Sequence, residues 1–314
     1  MVNNVSLAFF FPGQGSQSVG MLSALAEAFP QLKKTFADAS AVLGYDLWAL
    51  AQQGPQETLN LTERTQPLLL TSSVAMWRLW RELGGPLPAM MAGHSLGEYS
   101  ALVCSEVLGF EDAVDLVRKR GQYMQTAVPV GAGAMAAVLG LDDDVIVAAC
   151  AAACTGSEVV EAVNFNSPGQ VVIAGSAAAV DRASAALSDA GAKRVAKLPV
   201  SAPFHTSLMR PAAESLALDI DALAFSAPRV PIVHNVNAQP ETNPTRIKAL
   251  MIEQTASPVQ WTRSVQFMVQ QGIEKGYECG PGKVLAGLVR RVQRSLVVTP
   301  LDDADKFEAL VQQA

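Results

Sequence analysis

The chain has 314 residues, 50% of them hydrophobic and 17% charged, with 23 glycines and 18 prolines. This composition suits a globular protein with a sizeable core and excludes disordered and fibrous classes. A formal net charge of -6 argues against general nucleic-acid binding, which needs a basic face, and restricts any acidic partner to a local basic patch.

The opening MVNNVSLAFFF has no basic segment, and its apolar run stops at Pro12, too short for a signal peptide or a membrane span. The sequence therefore reads as cytoplasmic and soluble, with no membrane partner. LAFFFPGQG predicts a short buried strand ended by proline and glycine, followed by a helical stretch from about Ser18. PAMMAGHSLGEYSALVCSEVL predicts a strand, a sharp turn and a helix, and EDAVDLVRKRGQYMQTA predicts the next helix.

From Gly133 the pattern changes. AMAAVLGL, VVEAVNFN, QVVIAG and AKRVAKLPV read as strands, with DDVIVAACAAAC and AAAVDRASAALSDAG as helices among them. That order is βαββαβ, the ferredoxin-like arrangement. An α/β fold is expected, with a small subdomain at 131–199 inserted into a larger discontinuous α/β domain formed by 1–130 and 200–314. A functional cleft is expected between the two. The returning chain, from about Ser201, carries RVPIVHNVN, a helix around Ile247 to Thr255, and GYECGPGKVLAGLVRRV. Cys104, Cys150, Cys154 and Cys279 match no metal-binding or redox spacing and read as small core residues, with a Cys150–Cys154 redox pair as the remote alternative.

AGHSLGE sets Ser95 in a G-x-S-x-G motif between a predicted strand and helix, the context in which a serine nucleophile is raised on a turn. Gly93 and Gly97 are expected to let the chain turn tightly. A bare glycine-rich turn is the plain alternative. A serine needs a base, and the chain has three histidines. His94 adjoins the serine and points elsewhere at such a turn. His234 lies in an apolar strand pattern that suits a core histidine. His205, in a proline-bounded loop at the end of the insert, is preferred. No acid stands out to orient it: Asp142, Asp143, Asp144, Asp181 and Asp189 sit at helix starts or on polar faces. A Ser–His dyad is expected.

In LVRKRGQYM, Lys119 and Arg118 lie beside Asp115 on the helix surface, whereas the i±3 and i±4 neighbours of Arg120 are Leu116, Val117, Tyr123 and Met124. Arg120 points into the core. Two readings stay open: an ion pair with a distant acid or a stem snorkelling outward, or a carboxylate-bearing substrate held beside Ser95.

With GHSLGE, the arginine that follows it, and APFHT at Ala202–Thr206, the chain resembles the malonyl-CoA:acyl carrier protein transacylases of fatty acid synthesis. The resemblance extends through FPGQGSQ at Phe11–Gln17, TQP at Thr65–Pro67, NFNSPGQVVIAG at Asn164–Gly175, SPVQW at Ser257–Trp261 and GPGKVL at Gly280–Leu285. It implies an α/β-hydrolase-like core with the ferredoxin-like subdomain. It also implies Ser95 as nucleophile, His205 as general base and acid, and the Gln254 main-chain carbonyl as the group orienting that histidine. The amides of Gln14 and Leu96 match an oxyanion hole. Arg120 matches the residue that grips malonate, and Gln66 and Met124 match pocket positions. Phe204 stands where acyl choice varies in related domains. The implied activity is ping-pong malonyl transfer from malonyl-CoA to the phosphopantetheine thiol of acyl carrier protein. No metal or resident cofactor is expected, and the chain is expected to act as a monomer. Lys193, Arg194 and Lys197, or Arg290, Arg291 and Arg294, are the candidate patches for an acidic carrier. A thioesterase or esterase, and a non-catalytic carrier-binding subunit, are the rival functions.

Overall fold

The computed structural model describes residues 3–200 and 202–314. Ser201, near the predicted return to the core, lies outside the described residues. Five parallel strands form the larger sheet: β1 (Asn3–Phe11), β2 (Leu87–Gly93), β7 (Ile232–Val233), β8 (Lys275–Glu278) and β9 (Val297–Pro300), in the order β7-β2-β1-β8-β9. β1 is central and covered on both faces. Leu7, Phe9 and Phe11 pack into one apolar cluster while Ala8 and Phe10 pack into another. A strand buried on both sides reads as a continuous apolar run rather than an alternation, which is why LAFFF is so legible.

The second sheet is antiparallel, with β4 (Val160–Ser167), β5 (Gln170–Ser176), β3 (Gly133–Leu139) and β6 (Arg194–Lys197) in that spatial order. Helices Asp143–Ala153 and Ala177–Asp189 complete βαββαβ and bury Ile146, Val180, Ala183 and Leu187 against it. The chain is thus an α/β-hydrolase-like core interrupted by a ferredoxin-like unit. The two are stitched along an edge of the small sheet. The Phe165 N–H donates to the Val259 carbonyl (3.0 Å), the Val259 N–H donates to the Val163 carbonyl (2.8 Å), and Thr262 Oγ1 donates to the Phe165 carbonyl (2.9 Å).

Several elements differ from expectation. The first helix starts at Ser23 instead of Ser18, because Gly20 (φ 83°) and Leu22 (φ 61°) hold a left-handed turn before it. Of AKRVAKLPV, Arg194–Lys197 forms the strand paired with β3, and the flanking amides of Lys193 (2.8 Å) and Leu198 (2.9 Å) donate to the Leu139 and Met135 carbonyls at its two ends. The helix expected at Ile247–Thr255 spans Pro244–Gln254. Asn243 Oδ1 caps it by accepting from the amides of Thr245 (2.9 Å) and Arg246 (3.2 Å), and Pro244 occupies the first turn. All four cysteines are free. No described helix is long and apolar enough to cross a membrane.

The element the sequence does not announce is the helix Thr62–Glu82, in which every residue from Thr65 to Trp77 is buried. Against it packs the helix Phe110–Thr126, which carries Arg120. The two touch at Gly121, where a Cβ would lie 2.7 Å from the Thr62 carbonyl oxygen. That close approach brings the side chain of Arg120 to Gln66.

Candidate active site

β2 ends at Gly93 and the elbow helix Leu96–Cys104 begins three residues later, so Ser95 stands on the sharp turn between them. Its φ of 51° and ψ of -107° form a conformation strained for any residue with a side chain, by roughly 1–3 kcal/mol. Asn235 holds the turn: its Oδ1 accepts from the Ser95 N–H (2.7 Å) and its Nδ2 donates to the Gly93 carbonyl (2.6 Å). The flanking glycines let the chain turn tightly through their missing side chains. Neither Gly93 nor Gly97 has positive φ. A Cβ on Gly93 would sit 1.9 Å from the Gly97 carbonyl carbon, and one on Gly97 would sit 1.9 Å from the Phe11 carbonyl oxygen. Glycine is required there because strand, turn and helix pass through one another's side-chain space, while Ser95 itself bears the strain.

Ser95 Oγ lies 2.7 Å from His205 Nε2, and His205 Nδ1 lies 2.9 Å from the main-chain carbonyl of Gln254. A carbonyl only accepts, so Nδ1 carries the proton and Nε2 is free to accept from the serine. His205 also has positive φ, 64°. Its ring is buried, at 3% exposure. Burial, and then the Arg120 guanidinium, push His205 from 6.5 down to about 3. A base held there stays unprotonated, so the acylation rate is expected to be flat on the acid side through pH 6.5, with loss only toward the low value. A stopped-flow pH profile with an acid limb centred near 6.5 would contradict this. The same burial has a stability cost in acid. The unfolded chain takes the proton below about pH 6.5 while the folded chain resists until about 3, so stability falls as the pH drops through that window.

The other two histidines are occupied elsewhere. His94 Nε2 lies 2.8 Å from Asn166 Oδ1 and its ring packs near Trp261. His234 follows the short strand β7, fully buried, with Nδ1 2.7 Å from Glu98 Oε1.

Arg120 is 1% exposed. Nη1 donates to Gln66 Oε1 (2.8 Å), Nη2 to Gln254 Oε1 (2.9 Å) and to Ser95 Oγ (3.3 Å), and the guanidinium lies 5.2 Å from the centre of the Tyr99 ring. Among the described residues no carboxylate comes within ion-pairing distance of it, whereas Lys119 pairs with Asp115 (3.2 Å) and Asp219 (2.7 Å). The snorkelling and distant-ion-pair alternatives are both removed. A buried guanidinium held only by neutral oxygens has no carboxylate in contact to pair its charge.

A single cavity is lined by Ser95, His205 and Arg120, together with Gln66, Met124 and Phe204. Gln66 Nε2 contacts Met124 Sδ at 3.9 Å. Gln14 and Leu96 line the same cavity. Leu96 opens the elbow helix, and the next two amides are already used, Gly97 toward the His94 carbonyl (2.9 Å) and Glu98 toward the Ser95 carbonyl (3.1 Å). The His94 N–H donates to the Phe11 carbonyl (3.0 Å), which seats the loop carrying Gln14 against the elbow. Gln254 stands behind the cavity rather than in its wall. Among the described residues no cluster of histidine, cysteine, aspartate or glutamate could hold a metal ion. Sequence reasoning missed Asn235 and Glu98. The signal for Glu98 was present, a lone acid on an otherwise apolar helix, LGEYSALVC.

Residues 8–307 match the family model described as acyl transferase domain. The malonyl CoA-acyl carrier protein transacylase of Salmonella typhimurium is 56% identical over 306 residues, covering 98% of this chain and 99% of that protein. The chain belongs to the malonyl CoA-acyl carrier protein transacylase family. Among solved structures, the acyl carrier protein S-malonyltransferase of Vibrio cholerae superposes with a TM-score of 0.95 at 55% identity, covering 97% of this chain and 99% of that one. A malonyl-transacylase solved in complex with a type II PKS acyl-carrier protein gives a TM-score of 0.97 at 50% identity, covering 98% and 100%. Membership in this transacylase family extends over both sheets, so the cleft between them belongs to the shared fold.

Proposed function

We propose that this chain is a malonyl-CoA:acyl carrier protein S-malonyltransferase of fatty acid biosynthesis, acting in the cytoplasm as a monomer. The observation that carries the substrate choice is Arg120: buried, uncompensated by any carboxylate at contact distance, and 3.3 Å from Ser95 Oγ. A malonyl group supplies the missing carboxylate and places its thioester carbonyl at the serine.

Ser95 Oγ attacks the thioester carbon as His205 Nε2 takes its proton, and the Gln254 carbonyl steadies the imidazolium through Nδ1–H. The oxyanion that forms faces the amides of Gln14 and Leu96. Collapse breaks the carbon–sulfur bond, and CoA leaves as the thiol with the proton from His205. In the second half the carrier's phosphopantetheine thiol gives its proton to His205 and attacks the malonyl ester, returning Ser95 to its hydroxyl form. The proton and acyl transfers run between Ser95, His205 and the two thiol substrates, with main-chain groups stabilising charge, and no resident cofactor is proposed.

Carrier docking follows charge. Lys197 is tied to Asp181 (2.6 Å), and Arg291 contacts Gln170. Arg290, Arg291 and Arg294 together line a surface groove beside the Pro168–Gly169 turn, which makes them the better face for an acidic partner. A thioesterase would share Ser95 and His205, and the acceptor separates the two functions. Isolated malonyl-enzyme is expected to pass its acyl group to holo carrier protein at least about a hundredfold faster than to water. Reversing the charge of Arg290 and Arg294 is expected to raise the KM for carrier in a salt-dependent way while sparing that hydrolysis. Equal loss to carrier and to water would favour a hydrolase.

A further inference from the structure

Glu98 is fully buried in the first turn of the elbow helix, outside the cavity wall. Its Oε2 accepts from Gln254 Nε2 (2.7 Å) and from the Asn235 main-chain N–H (3.2 Å), and its Oε1 lies 2.7 Å from His234 Nδ1. Amide nitrogens only donate, so Glu98 Oε2 accepts from both. These contacts leave the Gln254 amide one orientation. With Nε2 facing Glu98 and the Ser95 carbonyl (3.0 Å), Oε1 must face Arg120 Nη2. The flipped amide would set oxygen against two oxygens and N–H against a guanidinium.

We infer that Glu98 is a positioning residue for the acyl-carboxylate site: through the Gln254 amide it fixes the Arg120 guanidinium beside Ser95, and from one residue away it offsets part of the cost of burying that charge without pairing it. A carboxylate in direct contact would occupy the guanidinium and compete with the substrate. Two neutral amides, Gln66 and Gln254, hold the group in place without neutralising it. The charge of Glu98 stands behind them, near enough to offset part of the cost of burying Arg120. Burial lowers the Arg120 pKa, and Tyr99 and Glu98 both oppose that shift.

The inference rests on Arg120 taking the acyl carboxylate. Its test uses a Ser95→Ala background, in which malonyl-CoA and acetyl-CoA bind without acyl transfer, and calorimetry gives the ratio of their dissociation constants. Adding Glu98→Gln keeps the shape and, with His234 in its other tautomer, the contacts, but removes the charge. Malonyl-CoA is then expected to gain about tenfold over acetyl-CoA, since its carboxylate no longer shares the guanidinium's field with Glu98. Adding Gln254→Leu instead cuts the link while leaving the main-chain carbonyl for His205, and malonyl-CoA is expected to lose about tenfold against acetyl-CoA. An acid with a merely structural role would weaken both ligands equally, and unchanged ratios in both variants overturn the inference. Should Glu98→Gln fail to fold, an unchanged ratio in Gln254→Leu is sufficient to overturn it. A Ser95→Ala protein that binds both thioesters equally removes the Arg120 reading itself, and the inference with it.

Discussion

Replacing Ser95 with alanine is expected to abolish the covalent malonyl-enzyme and to lower malonyl transfer by about a millionfold, the scale on which loss of a nucleophile acts when nucleophile and base work as a unit. Among the described residues, the cavity wall offers no substitute: it contains no cysteine, no threonine and no second serine. His205 is poorly placed to take over, because its Nε2 sits 2.7 Å behind the position of the attacking oxygen, a full hydrogen-bond length short of the thioester carbon that Ser95 Oγ reaches. The elbow should survive, since Asn235 holds it through the Ser95 main-chain N–H and the Gly93 carbonyl rather than through the hydroxyl. Intact-protein mass spectrometry after exposure to malonyl-CoA measures the outcome. A malonyl adduct persisting at wild-type level would mean that another group is the nucleophile.

Much of this site was legible because its residues break local rules. Arg120 could be read from its helix neighbours alone, since four apolar residues at i±3 and i±4 leave a charged side chain no exposed face. Ser95 was legible from the strand–turn–helix context of GHSLGE. The βαββαβ order was legible because each of its strands and helices has its own period and its own turn. What stayed hidden depends on contacts distant in sequence. The helix Thr62–Glu82 is buried on every side across Thr65–Trp77 and so shows no amphipathic stripe, and Pro67 within it argues locally against a helix. The Gln254 carbonyl that faces His205 Nδ1 is a main-chain group, which no side-chain pattern encodes, and it was reached through family resemblance. Asn235 reaches the elbow, and His234 and Asn235 reach Glu98, only after β7 is laid beside β2. That Gly93 and Gly97 allow a tight turn was legible, but whether through φ or through a missing side chain was not, because sequence does not distinguish the two.

The central claim is that the charge of Arg120 selects the acyl group. Arg120→Ala removes a buried guanidinium whose oriented partners are Gln66, Gln254 and Ser95 Oγ. In the wild type an acetyl group leaves that charge unpaired beside the reacting carbon, whereas a malonyl group pairs it. Loss of the side chain therefore removes a benefit from one substrate and a penalty from the other. It also lifts the charge that helps depress His205, so the imidazole moves back toward its ordinary value. Both substrates share that second effect, and it cancels in their ratio. The most direct measurement is kcat/KM for malonyl-CoA and acetyl-CoA with wild type and Arg120→Ala. The malonyl preference is expected to collapse by roughly 2 to 5 kcal/mol, about 30- to 5,000-fold, with acetyl transfer held or raised. An equal fall for both thioesters, accompanied by a lower melting temperature, would make Arg120 a structural residue and contradict the claim.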